Sequence, residues 1–436
     1  MYIYLLFFIL LIFAFFSFIF FKKDYLEPGI VIPLSFCFSS FCALYSIDIW
    51  NVDICFESFF LLISGIAVFI LVSFVTRQYL NKRKKYVSYT ISYISYSRIN
   101  LFIFNFFVIF ISVIYVHFIV KIALQNGASG GWSELMNSYR LSNSHSVSHE
   151  AKIPSIISYL YRFAIIGSYL PMYILINNFI FTKKLDIFLL STVMISMVAS
   201  ILSGGRTDLV RYLCSAIVIF SVLNHRLCGW KFKITCVFAI KLLFLIIVLL
   251  YSFYLLKGAV GRLNDTDPIY YISYYVGGSV ELFDLFIKEP VAPSPVWGKE
   301  TFYGIYSFIG PILGDNDLIY TIHKEFRSSN GILIGNVYSM FRSYIYDFGF
   351  IGFYLLTSIF AFFSTYIYQK VKQRKIIGFD FLLLFYSYIF HTICMSFFAE
   401  QFFVTLISFT MIKNIIFFII AYLFFIRLKL RMGYSY

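Results

Sequence analysis

Charge is scarce in this sequence. Only 13% of its 436 residues are Asp, Glu, Lys or Arg, while 61% are hydrophobic. Soluble globular chains carry about a quarter charged residues and about half apolar ones, so this balance excludes a soluble globular protein and describes a polytopic membrane protein. Cysteine is present but unpatterned. Cys37, Cys42, Cys214, Cys236 and Cys394 fall in apolar segments, Cys228 in a basic loop, and Cys55 in an expected outer loop. No CxxC or Cys/His spacing points to zinc or to a disulfide framework. A Walker loop, a dinucleotide fingerprint, an HExxH zinc motif and a nucleophile elbow are all missing, so ATP is not indicated as an energy source. No internal repeat is evident, which weighs against an inverted-repeat transporter.

The charge that is there is mostly positive, with a formal net value of +14. A basic balance can signal nucleic acid, but a membrane protein concentrates Lys and Arg in its cytoplasmic loops, and the positions fit that pattern. Nucleic acid is therefore not an expected partner. The 56 Phe and 36 Tyr are read mainly as lipid-facing bulk and interfacial belts.

The first apolar run, 2–21, has no basic leader and no small-residue cleavage site, so it is expected to be an anchor rather than a signal peptide. Lys22 and Lys23 place the N-terminus outside. Loop 77–98, with Arg77, Lys82, Arg83, Lys84, Lys85 and Arg98 and no acid, is the strongest cytoplasmic marker. Alternation from these markers predicts spans at 2–21, 29–47, 58–76, 101–122, 153–176, 185–202, 209–223, 234–256, 348–368, 377–398 and 403–426. The fold expected is an all-α membrane protein of about eleven spans, N-out and C-in, with large periplasmic loops. Its parts are N-terminal helices (1–124), a first outer loop (125–152) and a transmembrane core (153–256). A long outer loop (257–346) and C-terminal helices (347–436) follow. Within the long loop, 270–287 is apolar enough for a re-entrant or interfacial helix, interrupted at Gly277-Gly278.

Ser203-Gly204-Gly205-Arg206-Thr207-Asp208 interrupts an apolar run and cannot lie in hydrocarbon, so it marks a helix hairpin turning at the outer face. Backbone N–H groups at Gly204 and Gly205, the Arg206 guanidinium and the start of the next helix together suit an anionic oxygen ligand. Asp208 stands three residues before Arg211, a spacing that pairs them along one helix face and leaves Arg206 for a ligand. One ion-pair network holding the hairpin is the structural alternative. Arg162 falls roughly eight residues inside its span, about 12 Å deep, and should face a protein interior or a wet cavity unless Asp208 or Glu281 pairs it or it snorkels. Lys241 is expected to snorkel at a cytoplasmic helix end. His391 reads as a packed mid-span polar residue more readily than as a ligand.

The long loop offers two further groups. Tyrosines over 270–275 with Glu281 and Asp284 suit stacking on sugars, or else an interfacial belt. Asp315, Asp317, His323, Lys324, Glu325 and Arg327 form the densest titratable cluster, in which a His or carboxylate could serve as a base or could simply be solvated. Arg342 and Asp347 at the entrance of the next span are either an interfacial anchor pair or a second phosphate contact.

The Ser203–Asp208 turn, the Gly278-Ser279-Val280-Glu281 stretch, and Asn336-Val337-Tyr338 leading to Arg342 and Asp347-Phe348-Gly349 resemble the Wzy-type oligosaccharide repeat-unit polymerases, which include the O-antigen polymerases. The resemblance covers about the C-terminal half; the first half matches in hydropathy alone. It implies a multi-pass glycosyltransferase of the bacterial inner membrane, acting in lipopolysaccharide biosynthesis. The growing chain would leave its undecaprenyl pyrophosphate and join a new lipid-linked unit in the periplasm. No cofactor is implied, because cations that neutralise a pyrophosphate leaving group suffice. The implied partners are the lipid-linked oligosaccharide and the membrane, with a polysaccharide chain-length regulator left open. Arg206 is expected to hold the donor pyrophosphate, with Gly204 and Gly205 beside it and Arg211, Arg162 and Arg342 assisting. His323, or after it Glu281, would activate the acceptor hydroxyl. A lipid-linked oligosaccharide flippase would instead show related halves and charge along a central cavity. An acyltransferase would want its basic motif at the cytoplasmic face. An O-antigen ligase shares donor and face and stays open.

Overall fold

The computed structural model describes residues 1–81, 91–144, 153–230, 251, 254–261, 267–315, 317–318 and 324–428. Most of the expected span at 234–256, with Cys236 and Lys241, lies outside the described residues, as do His145, His149, Glu150 and His323.

In chain order the helices are α1 (Tyr2–Phe20), α2 (Pro28–Tyr45), α3 (Ile47–Trp50), α4 (Phe56–Asn81), α5 (Arg98–Gln125) and α6 (Trp132–Ser144). Next come α7 (Ser155–Gly167), α8 (Tyr169–Thr182), α9 (Ile187–Ile201), α10 (Thr207–Leu227), α11 (Pro268–Lys288) and α12 (Tyr303–Leu313). A hairpin of β1 (Arg327–Ser329) and β2 (Ile332–Gly335) precedes α13 (Met340–Gln373), α14 (Phe381–Cys394), α15 (Phe402–Leu406) and α16 (Phe409–Tyr422). Among the described residues, eight helices are long and apolar enough to cross a membrane: α1, α2, α4, α5, the stretch Ser155–Thr182, α10, α13 and Phe409–Arg427. The expected spans at 185–202 and 377–398 form α9 and α14, apolar helices of 15 and 14 residues. At 1.5 Å per residue they fall short of a hydrocarbon core of about 30 Å.

Helix starts follow local chemistry. Pro28 and Pro268 occupy first-turn positions where no N–H is required. Ser97, Asp186 and Asp267 cap α5, α9 and α11 by accepting from backbone N–H groups of the first turn.

The chain forms two compact units. The first comprises Met1–Lys85, Thr266–Gln373 and Ile389–Met411. In it α1, α2 and α4 pack together, α13 lies along α4, and α11 lies along α2. The Gly277-Gly278 pair does not interrupt α11, correcting the expected break. Gly277 instead lets the two backbones meet, since a Cβ there would lie 2.5 Å from the Ala43 nitrogen. Hydroxyls complete the contact: Ser46 and Ser273 are 2.8 Å apart, and Ser39 donates to the Val276 carbonyl. Near the end of α13, Lys372 and Tyr368 hold Asp24 while Gln369 donates to Glu27. The second unit comprises Tyr86–Asp265, Arg374–Tyr388 and Ile412–Tyr436. Here α5 packs on α7 and α9, α10 packs on α8 and α9, and α6 closes on α5 through Ile119, Ile122, Met136 and Tyr139. Asp380 caps α14 through the Leu382 and Leu383 N–H groups and pairs with buried Arg226 at 2.6 Å.

Candidate functional site

In the second unit, the polar turn joins α9 to α10 as the sequence implies. Gly204 has φ +78° and sits against the Met136 side chain of α6, where an added Cβ would meet its terminal carbon at 3.2 Å. Its N–H is spent on the Ile201 carbonyl, closing α9, so it is not one of the donors expected for an anion. A Cβ on Gly205 would have 3.9 Å to its nearest neighbour, the Ser203 hydroxyl. Arg206 stands at the N-cap of α10, is 7% exposed, and makes contacts of its own within the protein.

Asp208, in the first turn of α10, is where the other two arginines meet. Arg211 donates to its Oδ1 at 2.5 Å, as the spacing of three implies, and Arg162 of α7 approaches the same oxygen at 3.7 Å. A second layer fixes both guanidiniums. Arg162 donates through Nε to Asn414 Oδ1 (3.3 Å) and through Nη2 to the Tyr388 hydroxyl (3.2 Å), and Asn414 Nδ2 donates to that hydroxyl at 2.9 Å. Arg211 lies over the Tyr388 ring, 5.1 Å from its centroid. Helix α10 thus contributes Asp208 and Arg211 to the cluster, and α7, α14 and α16 contribute Arg162, Tyr388 and Asn414; Arg162 keeps 29% of its side chain exposed. A positive helix N-terminus and two fixed guanidiniums make this a region where added negative charge is favoured.

An apolar groove of about 510 Å³ runs between α5 and α9, lined by Ile109, Val113, Val116, Met194, Val198 and Leu202. Its lining ends at Leu202, one residue before the turn. Tyr161, one residue before Arg162, donates to the Ala199 carbonyl at the same end and stacks on Tyr115 at 3.9 Å.

The first unit holds the other predicted residues, in a different chemical state. Arg342, at the start of α13, is 1% exposed and donates to Glu300 Oε1 and to Glu325 Oε2 (2.6 Å). Phe286, Tyr338 and Tyr346 surround its guanidinium at about 5 Å, 5.0, 4.9 and 4.9 Å from ring centroids. Lys324 completes the group by donating to Ser343 Oγ at 2.9 Å and lying 3.5 Å from Glu300 Oε2. Burial pushes the Lys324 ammonium down to about 8, and burial likewise raises the carboxyl of nearby Glu400 to about 7. Asp347 accepts from the N–H groups of Glu300 and Thr301 and from the Thr301 hydroxyl, so it ties the segment before α12 to α13. Two residues later Gly349 breaks the helix at φ 63°, ψ −164°, a conformation open essentially to glycine.

Glu281 does not line an open cleft. It is 2% exposed within α11, and its Oε1 lies 2.9 Å from the Ser329 hydroxyl. Burial raises its carboxyl to about 7. The neighbouring tyrosines are engaged too: Tyr270 and Tyr274 pack edge-on against Trp50, and Tyr274 donates to the Leu333 carbonyl. Tyr271 is buried, while Tyr270, Tyr274 and Tyr275 stay half-buried. His391 is fully buried in α14. Sequence reasoning missed Glu300, Tyr388 and Asn414. Asn414 beside Lys413 in an apolar run was a usable signal, because polar residues within spans tend to be functional; Glu300 and Tyr388 carry none.

Comparison with protein-family models, curated proteins and solved structures finds no match. What fold and site define together is a multi-pass helical membrane protein with a basic cluster at a helix turn.

Proposed function

We propose that this protein is a membrane glycosyltransferase that polymerises undecaprenyl-pyrophosphate-linked oligosaccharide repeat units into O-antigen or a similar surface polysaccharide. The observation that carries this reading is the convergence of Arg162 and Arg211 on Asp208 beside Arg206, next to a groove able to take a lipid chain. The resemblance of the Ser203–Asp208 turn supports it. In this reading the chain has eleven spans in the bacterial inner membrane, and the turn faces the periplasm.

The acceptor hydroxyl oxygen attacks the anomeric carbon of the donor chain, and the bond from that carbon to the pyrophosphate oxygen breaks. The hydroxyl proton passes to a base, and the lipid pyrophosphate leaves with the bond electrons. Arg206, Arg211 and Arg162 stabilise the charge that grows on the leaving oxygen, the contribution expected of fixed cations in a site sheltered from water. The polyprenyl chain occupies the groove between α5 and α9. His323, outside the described residues, stays the first choice of base. Glu281 is set aside by its burial, and Arg342 by the two carboxylates that already match it.

Replacing Arg206 by Ala in a strain relying on this gene should reduce the lipopolysaccharide ladder to core bearing a single repeat. Full-length ladders from that variant would overturn the assignment of Arg206. A deletion strain showing bare core would point to a ligase or flippase instead.

A further inference from the structure

The hairpin β1–β2 is tied to its neighbours by several polar contacts, and the one at Ser329 meets a buried carboxyl. Ser329 Oγ lies 2.7 Å from the Trp50 carbonyl oxygen and 2.9 Å from Glu281 Oε1. A serine hydroxyl has one hydrogen, and a carbonyl can only accept. Both contacts are hydrogen bonds when Glu281 carries a proton, donates it to Ser329 Oγ, and Ser329 donates onward to Trp50. With Glu281 ionised, the serine proton serves one acceptor and the other is abandoned. Glu281 Oε2 has no hydrogen-bond partner among the described residues and is buried, an arrangement far less costly for a neutral carboxylic acid than for a carboxylate.

The cation that acts on Glu281 is Lys288, and it is held by another carboxylate. On its own helix Lys288 is paired with Asp284 at 2.6 Å. From the segment leading to α4, Asp53 acts on it, and the Cys55 N–H donates to Asp284. From the hairpin side, Arg327 is directed to the Leu285 and Glu289 carbonyls and to Glu325.

From this geometry we infer that Glu281 and Ser329 form a protonation-dependent latch holding the β1–β2 hairpin against α11 and the segment after α3. Other ties act beside it without titrating near neutral pH: Arg327 of β1 donates to the Leu285 and Glu289 carbonyls, Asn330 donates to the Ile49 carbonyl, Tyr274 to Leu333, and Ile334 rests on Gly278. Glu325, a partner of Arg342, stands two residues before β1, so release of the hairpin loosens that ion pair as well. The latch is independent of the transferase reading.

The sign follows from linkage. Docked Glu281 titrates at about 7, against an ordinary value of 4.5, so the docked state binds the proton more tightly. Docking is strongest at low pH, weakens by about tenfold per pH unit as pH rises toward 7, and levels off above it. Amide hydrogen exchange on the full-length protein in detergent reads this directly. After correction for intrinsic rates, protection at residues 329–334 should fall with that slope up to about pH 7 and flatten beyond, while protection within α4 stays level. In Glu281→Gln, whose amide donates to Ser329 without titrating, hairpin protection should be high and independent of pH. Glu281→Met, which keeps the packing and loses the polar contact, should give lower protection, also independent of pH. A flat profile in the unmodified protein, or a slope that survives in either variant, overturns the latch.

Discussion

Two clusters of buried or half-buried charge, one in each unit, are built from the same side chains to opposite ends. In the second unit the described ion pairs bring two guanidiniums to one carboxylate, with Arg206 two residues away in the chain. In the first unit Arg342 pairs with both Glu300 and Glu325, Lys324 shares Glu300, and Arg327 shares Glu325. The matched cluster has its charges cancelled and is closed by three aromatic rings. The other gathers two guanidiniums on one carboxylate and keeps partial exposure at Arg162 and Asp208. Desolvating a closed cluster of ion pairs gives a ligand little to hold, whereas Arg162, which donates to Tyr388 and Asn414 and stays partly exposed, is a guanidinium an anion can reach.

The largest expected effect tests the matched side. Glu300→Ala removes the carboxylate that Arg342 and Lys324 share, leaving Arg342 with Glu325 alone, and should lower stability by about 3–5 kcal/mol, read as a shift in the unfolding transition in detergent. A shift comparable to that of a surface substitution would show that the cluster is not the closed one described. Asp208→Asn tests the other side with an intermediate effect. It removes the shared carboxylate and should tighten binding of a polyprenyl pyrophosphate by about tenfold, roughly 1.4 kcal/mol, at low ionic strength and by less at high salt. Weaker binding in that variant would mean that Asp208 orders the arginines rather than opposing the ligand's charge. The smallest effect separates the two contributions of Tyr388. Tyr388→Phe deletes the hydroxyl that accepts from Arg162 and Asn414 while leaving the ring beneath Arg211. A loss of about 1 kcal/mol in stability is expected. A loss as large as that of Glu300→Ala would erase the contrast between the clusters.

Eight of the expected spans were legible in the sequence because hydrocarbon leaves a coarse, strong signal, whereas the runs at 185–202 and 377–398 form helices too short to cross. The Asp208–Arg211 pair was legible because its spacing of three is local. Arg342 was not, since its partners lie 42 and 17 residues away and no periodicity links them. Read in isolation, an arginine at a helix entrance looks available, and here it is occupied. The hairpin was hidden for another reason. Asn330-Gly331 is a strong turn signal, and both residues adopt the positive φ angles of such turns, 51° and 72°. The strands beside it have only three and four residues, though, and the charges before them mask any alternation, so 314–327 reads as open loop. Glu281 misled in the same way as Arg342, because burial is set by the chain that folds over a residue and not by its own neighbours in sequence.

The swivel at Gly349 has a consequence for how α13 meets two environments. An uninterrupted helix carries its angular phase from one end to the other, so the stripe chosen by lipid would dictate where Arg342, Ser343 and Asp347 point. Breaking the phase at one residue lets the first turns be aimed by their polar partners and the remainder by hydrocarbon. Phe350 and Ile351 can then face outward directly after a segment whose arginine is almost wholly enclosed. One glycine thus allows a single chain segment to answer to two solvents.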